Sequence, residues 1–388
     1  MSVTDRRTSE EIQKRLVELT RDLILIPSTY DRPDDIKRCT EFVINHAEVS
    51  AALSARRICE QGVLSTVILP KGIDVPEVML FAHLDIVSLP EGTEYVPSVR
   101  EGRIYGPGAG DMKGELAILL EIFRFFHERY PGISLGLAVT SDEERGGAYG
   151  TRFLCEKLGL RCRSAIIPDS GSLNDIAVEE KGTLHVKINA CGSAGHACRP
   201  WLADNPIERT IVTLSKIQSY FAALQNGAGY WYPTCTVTVL QTQNKVPNRI
   251  PDTGEVICDI RFPPPFTINQ MLSTLQGFLD ERMELEVLVA AEPTVLSPDP
   301  LFLRVTEEIT GKPVRLIREH GGSDARFIAQ YGIPVMMSRP FVGNLHADDE
   351  WVDIVSMESL YRIYERYLEH KLVPSTERWM SGSKDENY

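Results

Sequence analysis

Long apolar runs alternate along this chain with amphipathic segments, and this alternation limits the fold more than any other sequence feature. Residues 78–87 read VMLFAHLDIV and residues 134–141 read SLGLAVTS, each almost uninterrupted. Strands that are apolar at every position are typical of a parallel sheet with helices on both faces. Apolar residues at helical spacing predict those helices in the stretches 8–27, 34–54, 114–129 and about 148–158. The sequence therefore predicts an α/β domain with a mostly parallel sheet.

The pattern changes after residue 180. Apolar and polar residues now alternate, as they do in strands with one exposed face, in TLHVKINAC, TCTVTVLQ, EVICDIRF and MELEVLVA. Helical stretches at about 205–224 and 267–281 complete the order β-α-β-β-α-β, which is that of a ferredoxin-like unit. We therefore expect an inserted α+β domain over residues 181–292.

The α/β pattern returns from residue 293. It contains strands at VRLI and IPVMMS, and helices at 299–310, 323–331 and 355–371. The simplest interpretation is one α/β domain, formed by residues 1–180 and 293–388, that the inserted domain interrupts.

Composition and charge exclude several classes of protein. Of the 388 residues, 43% are hydrophobic and 24% charged, as in a soluble globular protein, and no stretch approaches a membrane span. The net charge of −13 argues against nucleic acid and anionic membranes as partners. The first residues are polar, unlike a secretory signal, and the eight cysteines form no CxxC pair. We therefore expect a cytoplasmic protein with reduced thiols.

Five groups of acidic or histidine side chains follow predicted α/β strands or their loops. They are HLD with His83 and Asp85, GAGDMKG with Asp111, SDEERGG with Glu143 and Glu144, PDSG with Asp169, and LHADDE with His346. Ligands of open α/β sheets bind beyond the carboxyl ends of the strands. A solvated loop explains one such group equally well, but five at one edge of a sheet indicate a site. Adjacent carboxylates there can divide two tasks, metal binding and proton transfer.

The segment GPGAG before Asp111 also admits a nucleotide-binding interpretation. It lacks the G-x-x-x-x-G-K-[ST] spacing of a phosphate loop, and Pro107 removes an N–H group that such a loop would use. A dinucleotide fingerprint fails as well, because no ribose-binding acid follows at the usual distance. A glycine-rich turn that opens a helix is the simpler reading.

Taken in order, these motifs resemble the di-zinc metallopeptidase and amidohydrolase family. That family includes aminoacylases, acetylornithine deacetylase, succinyl-diaminopimelate desuccinylase and carboxypeptidase G. The resemblance implies His83 and Asp169 as ligands of one zinc, Glu144 and His346 as ligands of the other, and Asp111 as a bridging carboxylate followed by a cis peptide bond. It further implies Glu143 as the general base and Asp85 as the acid that orients a ligand.

The chemistry of these residues agrees with that assignment. Every implied ligand is an N or O donor, which suits zinc, with cobalt or manganese as substitutes. Two divalent ions carry four positive charges and three carboxylates balance three of them, so a bridging hydroxide is favoured as the nucleophile. Attack on an amide carbonyl would then yield an amine and a carboxylate.

The inserted domain and the segment after it carry a second set of implied residues. The resemblance suggests that His196 in SAGHACRP reaches the active site of a partner subunit and stabilises the oxyanion, which requires a homodimer. It also suggests substrate contacts from Asn248, Arg261, Gly322, Ser323 and Arg326. From the residues alone, a structural role for His196 and structural ion pairs for both arginines remain open.

We therefore expect a hydrolase that cleaves the amide bond of an N-acyl amino acid or a related small substrate. A dipeptidase or carboxypeptidase with the same machinery is the alternative. A catalytically silent binding protein of the same fold is more remote, because the metal ligands and Glu143 are all present.

Overall fold

The computed structural model describes residues 7–226 and 228–374. They form two compact units. The first unit contains the described residues up to Val178, then Leu296–Ile317, and those from Ser323 onward. The second unit contains Glu179–Val295 and Arg318–Gly322. The expected domain limits at residues 1 and 388 lie outside the described residues.

Helices and strands alternate along the described residues of both units. The helices are α1 Ser9–Ile24, α2 Pro33–Ala47, α3 Gly114–Arg129, α4 Thr151–Glu156, α5 Pro206–Ala223, α6 Ile268–Gln276, α7 Pro300–Thr310, α8 Arg326–Ala329 and α9 Ile354–Leu372. The strands are β1 Leu53–Glu60, β2 Val63–Pro70, β3 Val78–His83, β4 Ser98–Arg100, β5 Arg103–Tyr105, β6 Leu135–Thr140, β7 Ala165–Ile166, β8 Asp175–Glu180, β9 Gly182–Cys191, β10 Gly195–His196, β11 Thr234–Gln241, β12 Arg249–Ile250, β13 Thr253–Phe262, β14 Met283–Ala291, β15 Thr294–Val295, β16 Arg315–Glu319, β17 Val335–Met336, β18 Val342–Gly343 and β19 Trp351–Asp353.

A six-stranded sheet in the order β1-β2-β6-β3-β7-β17 organises the first unit. The pairs β6–β3, β3–β7 and β7–β17 are parallel, whereas β1–β2 and β2–β6 are antiparallel. Strand β3 is buried on both faces: Val78 and Leu80 join one apolar core, and Met79 and Phe81 join the other. The mostly parallel α/β sheet is therefore confirmed, with an antiparallel hairpin at one edge.

That hairpin corrects the expected helix over residues 34–54. Helix α2 ends at Ala47, and the chain enters β1 at Leu53. β1 and β2 meet at a two-residue turn, with Glu60 paired to Val63. Gln61 and Gly62 have φ of 48° and 83°, the left-handed values that a type I′ hairpin turn requires at both central positions. A turn that needs positive φ in a non-glycine residue carries a weak sequence signal.

Three further expected elements are shorter than predicted. The helix expected at 267–281 ends at Gln276, and the helix expected at 323–331 is reduced to Arg326–Ala329. The strand IPVMMS pairs only at Val335–Met336, because its partner β7 is itself two residues long. Helix α3, by contrast, spans the predicted residues 114–129 and is buried along most of its length.

The second unit is a ferredoxin-like βαββαβ unit, as predicted. Its sheet has the order β11-β13-β9-β14, with antiparallel pairing throughout. The apolar side chains of β9 and β13 pack with α5 and α6 in one core. Their polar residues alternate on the opposite face, which is the signal that distinguished this segment in the sequence.

A small antiparallel sheet of the order β18-β19-β5-β4 positions one loop of the first unit. Strands β18 and β19 are adjacent, and the loop over residues 344–350 between them carries His346. Within the part of the chain that the structure describes, no helix has both the length and the apolar character needed to cross a membrane.

Candidate active site

His83 ends β3 with its imidazole buried and fixed from both sides. Its Nδ1 lies 3.0 Å from the backbone oxygen of Asp85, and its Nε2 lies 3.1 Å from Oδ1 of Asp111. A backbone acceptor at Nδ1 favours the tautomer in which Nε2 carries the free lone pair. The ring therefore presents Nε2 to Asp111.

Asp111 lies in the turn that leads into α3, and its carboxylate reaches two histidines. Oδ1 is 3.1 Å from Nε2 of His83, and Oδ2 is 3.4 Å from Nε2 of His346. The peptide bond from Asp111 to Met112 is cis, as the resemblance implied. One carboxylate thus joins two groups of donor atoms.

Glu143 and Glu144 begin the short 3₁₀ turn that follows β6. The carboxylate of Asp85 accepts the backbone N–H of Glu143 at 3.3 Å and that of Glu144 at 3.1 Å. Oδ1 of Asp85 is also 3.6 Å from Nδ1 of His83. Asp85 therefore fixes the turn that carries the glutamates and lies against the histidine.

The six implied ligand and base residues form two groups in the first unit. His83, Glu143 and Asp169 form one, and Asp111, Glu144 and His346 form the other; in each group three donor atoms lie within 4.8 Å of one another. Nε2 of His346 is 3.4 Å from Oε1 of Glu144. The five motifs that the sequence marked thus meet at one edge of the sheet.

The electrostatics of these groups are those of a cation-binding site. Burial and the neighbouring Asp169 carboxylate raise the pKa of Glu143 well above its usual range. Hydrogen bonding to Asp111 and Glu144 raises the pKa of His346 to about 10. Crowded carboxylates that repel one another and stabilise a protonated imidazole create a negative potential, which bound cations would neutralise.

Glu350 is a buried residue beside the site that the sequence did not reveal. Its side chain is 2% exposed. One carboxylate oxygen accepts the backbone N–H groups of Gly110 and Asp111 at 2.6 and 2.7 Å, and the other accepts those of Gly108 and His346 at 3.3 and 3.2 Å. Glu350 therefore ties the loop of Asp111 to the loop of His346. Its position in LHADDE, four residues after the histidine, was the available signal.

Lys113 is a second residue that was missed. It is fully buried, and its Nζ donates to the backbone oxygens of Leu23 and Ile26 at 2.9 and 2.6 Å. It thereby fastens the turn that contains Asp111 to the end of α1. Burial lowers the pKa of Lys113 to about 8.

The remaining predicted residues divide between the two units. Ser323 and Arg326 belong to the first, where Arg326 donates to the backbone oxygen of Gly146 at 2.9 Å. His196, Asn248, Arg261 and Gly322 belong to the second unit.

Within the second unit, some of these residues already have partners. The N–H of Ala197 donates to the backbone oxygen of Asn248 at 2.9 Å, so His196 and Asn248 lie on adjacent segments. Arg261 pairs with Asp259 through Nε at 2.7 Å and also donates to Thr183. The ion pair left open as the alternative for Arg261 is therefore present. The substrate contacts of all six residues stay predictions.

Comparison with known proteins agrees with this geometry. The sequence profile of peptidase family M20/M25/M40 matches residues 79–370. The chain belongs to this family. The matched residues include all five motifs of the candidate site. This chain is therefore a metal-dependent hydrolase of amide bonds. The family generally binds two divalent metal ions.

Relatives match over nearly the full length. The succinyl-diaminopimelate desuccinylase of Bordetella petrii is 29% identical over 385 residues, covering 92% of this M20 chain and 98% of its own. The desuccinylase of Xylella fastidiosa is 30% identical, with the same coverage. Among solved structures, an M20 family metallo-carboxypeptidase from Sulfolobus solfataricus has a TM-score of 0.76 at 16% identity and covers 92% of this chain and 99% of its own.

Proposed function

We propose that this M20 protein hydrolyses the amide bond of an N-acyl amino acid and releases the acyl group as a carboxylate. The observation that carries the proposal is the meeting of two three-donor groups at Asp111, whose carboxylate oxygens lie 3.1 Å from His83 and 3.4 Å from His346. A carboxylate shared between two sets of N and O donors could hold two metal ions close together, as two-metal hydrolysis needs.

The donor residues fit two divalent cations. All are imidazole or carboxylate groups, and in each group three donor atoms lie within 4.8 Å of one another. We propose that His83 and Asp169 hold one ion, Glu144 and His346 hold the other, and Asp111 contacts both. Zinc is the metal we propose because it accepts mixed N and O ligands, with cobalt or manganese as substitutes.

The residues around the ions perform the remaining tasks. When bound, the ions would polarise the scissile carbonyl and lower the pKa of a water molecule. Glu143 is buried beside His83, and its raised pKa suits a group that accepts a proton and then gives it to the leaving amine. Asp85 and Glu350 hold the glutamate turn and the Asp111 loop in place, so that little reorganisation is needed.

An N-succinyl amino acid is the substrate that we propose first. Its support is the desuccinylase name of relatives that align with 92% of this chain. A dipeptidase or carboxypeptidase activity uses the same chemistry and is the outcome that would replace it.

The second unit has the proposed role of a lid and dimerisation unit. Its support lies in apolar side chains that α5 and the edge strand β11 expose: Ile211 is 54%, Val212 56% and Leu240 52% exposed. Edge strands and apolar helix faces of this kind pair readily across a two-fold axis. In such a homodimer, we propose that His196 acts as a hydrogen-bond donor to the oxyanion in the partner's site. The cytoplasm is the proposed location, because all eight cysteines are free.

A panel of substrates tests the proposed function. N-succinyl, N-acetyl and N-formyl amino acids are compared with dipeptides, with zinc or cobalt added, by following release of the free amine. The highest kcat/KM is expected for an N-acyl amino acid. A higher value for dipeptides would assign the protein to the peptidases instead.

A further inference from the structure

Arg145 carries a positive charge in the acidic segment SDEERGG and yet has no anionic partner. Within residues 7–226 and 228–374, its exposed side chain forms neither an ion pair nor a hydrogen bond. The contact it makes is with Tyr30, whose ring centroid lies 5.1 Å from the guanidinium carbon. Three acids precede Arg145 in the chain, and none of them forms an ion pair with its guanidinium.

The backbone holds Arg145 in a fixed place beside Glu144. The N–H of Arg145 donates to the backbone oxygen of Asp142 at 3.1 Å, and the N–H of Gly146 donates to that of Glu143 at 2.7 Å. Gly146 then has φ of 93°, a left-handed value that a larger residue would adopt only with strain. Arg145 therefore extends from a rigid turn whose other two residues belong to the proposed site.

Tyr30 is held against the segment that follows His83. The hydroxyl of Ser28 donates to the backbone oxygen of Leu84 at 2.5 Å, and the N–H of Ile86 donates to that of Ser28 at 3.1 Å. Tyr30 remains 60% exposed. The pair of Arg145 and Tyr30 thus joins the loop after β6 to the connection between α1 and α2, which is itself hydrogen-bonded to the segment after β3.

The segment after β3 and the loop after β6 both contribute to a cleft at the proposed metal-ligand residues. That cleft is lined by Ile86, Val87 and Leu89 together with Asp111, Glu144 and His346. The acid next to Tyr30, Asp31, already accepts the hydroxyl of Ser88 at 2.7 Å, so it does not compete for Arg145. Arg145 directly follows Glu144, one of the lining residues, and among the described residues its guanidinium N–H groups have no hydrogen-bond partner.

We propose that Arg145, stacked on Tyr30, binds a free carboxylate of the substrate and sets the specificity of the site for anionic substrates. The inference rests on the proposed amide hydrolysis and extends it. A guanidinium offers a planar pair of donors that matches a carboxylate, and stacking on an aromatic ring reduces the side-chain entropy lost on binding. The carboxylate belongs either to a dicarboxylic acyl group or to the amino acid that leaves.

Four substrates of the same shape distinguish a carboxylate on the acyl group from a carboxylate on the leaving amino acid. An N-succinyl amino acid is compared with its N-succinamoyl analogue, in which a neutral amide replaces the distal carboxylate, and each is used as the free α-acid and as the α-amide. Wild type, Arg145→Gln and Arg145→Lys are assayed for kcat and KM with each substrate. Arg100→Gln is the matched control, because Arg100 also stacks on a tyrosine, Tyr105, at 4.0 Å, but lies on the edge strand β4.

The expected result is a change in the preference for charge. Arg145→Gln should lower the ratio of kcat/KM for the charged over the neutral substrate by roughly 10- to 100-fold, as loss of a charge-assisted hydrogen bond does. The change should fall mainly on KM, because the contact exists before the transition state as well as in it. Arg145→Lys should retain part of the preference, and Tyr30→Leu should lower it by about 2- to 5-fold. Arg100→Gln should leave the ratio as in wild type.

If the kcat/KM ratio changes between the N-succinyl and N-succinamoyl substrates, Arg145 binds the acyl group. If it changes between the α-acid and the α-amide, Arg145 binds the amino acid. If wild type and Arg145→Gln show equal kcat/KM ratios in both comparisons, the inference is overturned while the proposed hydrolysis stands. If wild type hydrolyses none of the four substrates, the N-succinyl substrate proposed above fails, and this inference fails with it. Circular dichroism and metal content, measured for every variant, show that the protein remains folded and loaded.

Discussion

Replacing Glu350 by glutamine tests whether one buried carboxylate holds two loops of the site together. Glutamine has the same shape, but only one oxygen. That oxygen can keep the bonds from Gly110 and Asp111, while an NH₂ group would face the N–H groups of Gly108 and His346. Two bonds are thus lost, and two change from charged to neutral acceptors.

The expected loss of unfolding free energy follows from these four bonds. A hydrogen bond to a charged group contributes about 1.5–3 kcal/mol and a neutral one about 1 kcal/mol. Losing two charged bonds costs about 3–6 kcal/mol and weakening two others costs about 1–4 kcal/mol, so a loss of about 4–10 kcal/mol is the first estimate. Burial raises the pKa of Glu350 to about 7, which shows that its charged form is itself costly in this position. Glutamine removes that cost, so we expect a loss near the lower limit, about 4 kcal/mol.

Two assays measure the effect. Urea unfolding in the presence of a chelator gives the stability of the metal-free protein, and competition with a chromophoric chelator gives the affinity for metal. Because Glu350 holds the loops of Asp111 and His346, the affinity should fall by roughly 10- to 100-fold. Asp348→Asn removes the same charge two residues away on the exposed loop and should change neither value. Equal stability and equal metal affinity in Glu350→Gln and wild type would refute the reasoning.

Three further predictions address the base, a buried histidine and the dimer. Glu143→Gln should keep both metals and lower kcat by roughly 10²–10⁴-fold, whereas Glu144→Gln should lose metal; the reverse pattern in elemental analysis would exchange their roles. Burial lowers the pKa of His127 to about 4, so its neutral form is the native one and stability should fall by up to about 3 kcal/mol as the pH falls from about 6.5 to 4. Urea unfolding of His127→Gln across that range should lack this dependence; an equal slope would contradict the assignment. Mixed refolding of inactive His196→Ala and Glu143→Gln subunits should restore about a quarter of wild-type activity if His196 acts across a homodimer, and no recovery with mixed dimers present would exclude it.

Long periodic elements could be predicted from the sequence because their signal is local. Helix α3 and strands β3 and β6 repeat one pattern over many residues and were found at their predicted places. The hairpin β1–β2 was missed because β1 is half exposed, and its sequence LSARRICE gives no sustained alternation. Its turn contains two residues with positive φ, and the residue types at these positions do not predict that backbone conformation.

The residues of the site could be found because acidic and histidine side chains follow several buried strands, and this position relative to the strands is visible in the sequence. Their roles as metal ligands came from the family resemblance and stay predictions. Glu350 is a different case. Its carboxylate accepts four backbone N–H groups, which come from two distant segments of the chain. Such convergence depends on how the loops fold around β18 and β19. Similarly, the sequence shows Arg145 only as part of the SDEERGG motif, whereas its contact with Tyr30 is visible only in the structure.

Metal titration of the chelated protein tests the central claim most directly. Hydrolysis of an N-succinyl amino acid is followed while zinc is added in steps, with bound metal determined in the same samples. Activity should be absent in the chelated protein and should rise until two ions are bound per chain, because Asp111 joins two donor groups. Full activity in protein that elemental analysis shows to be free of metal would contradict the account.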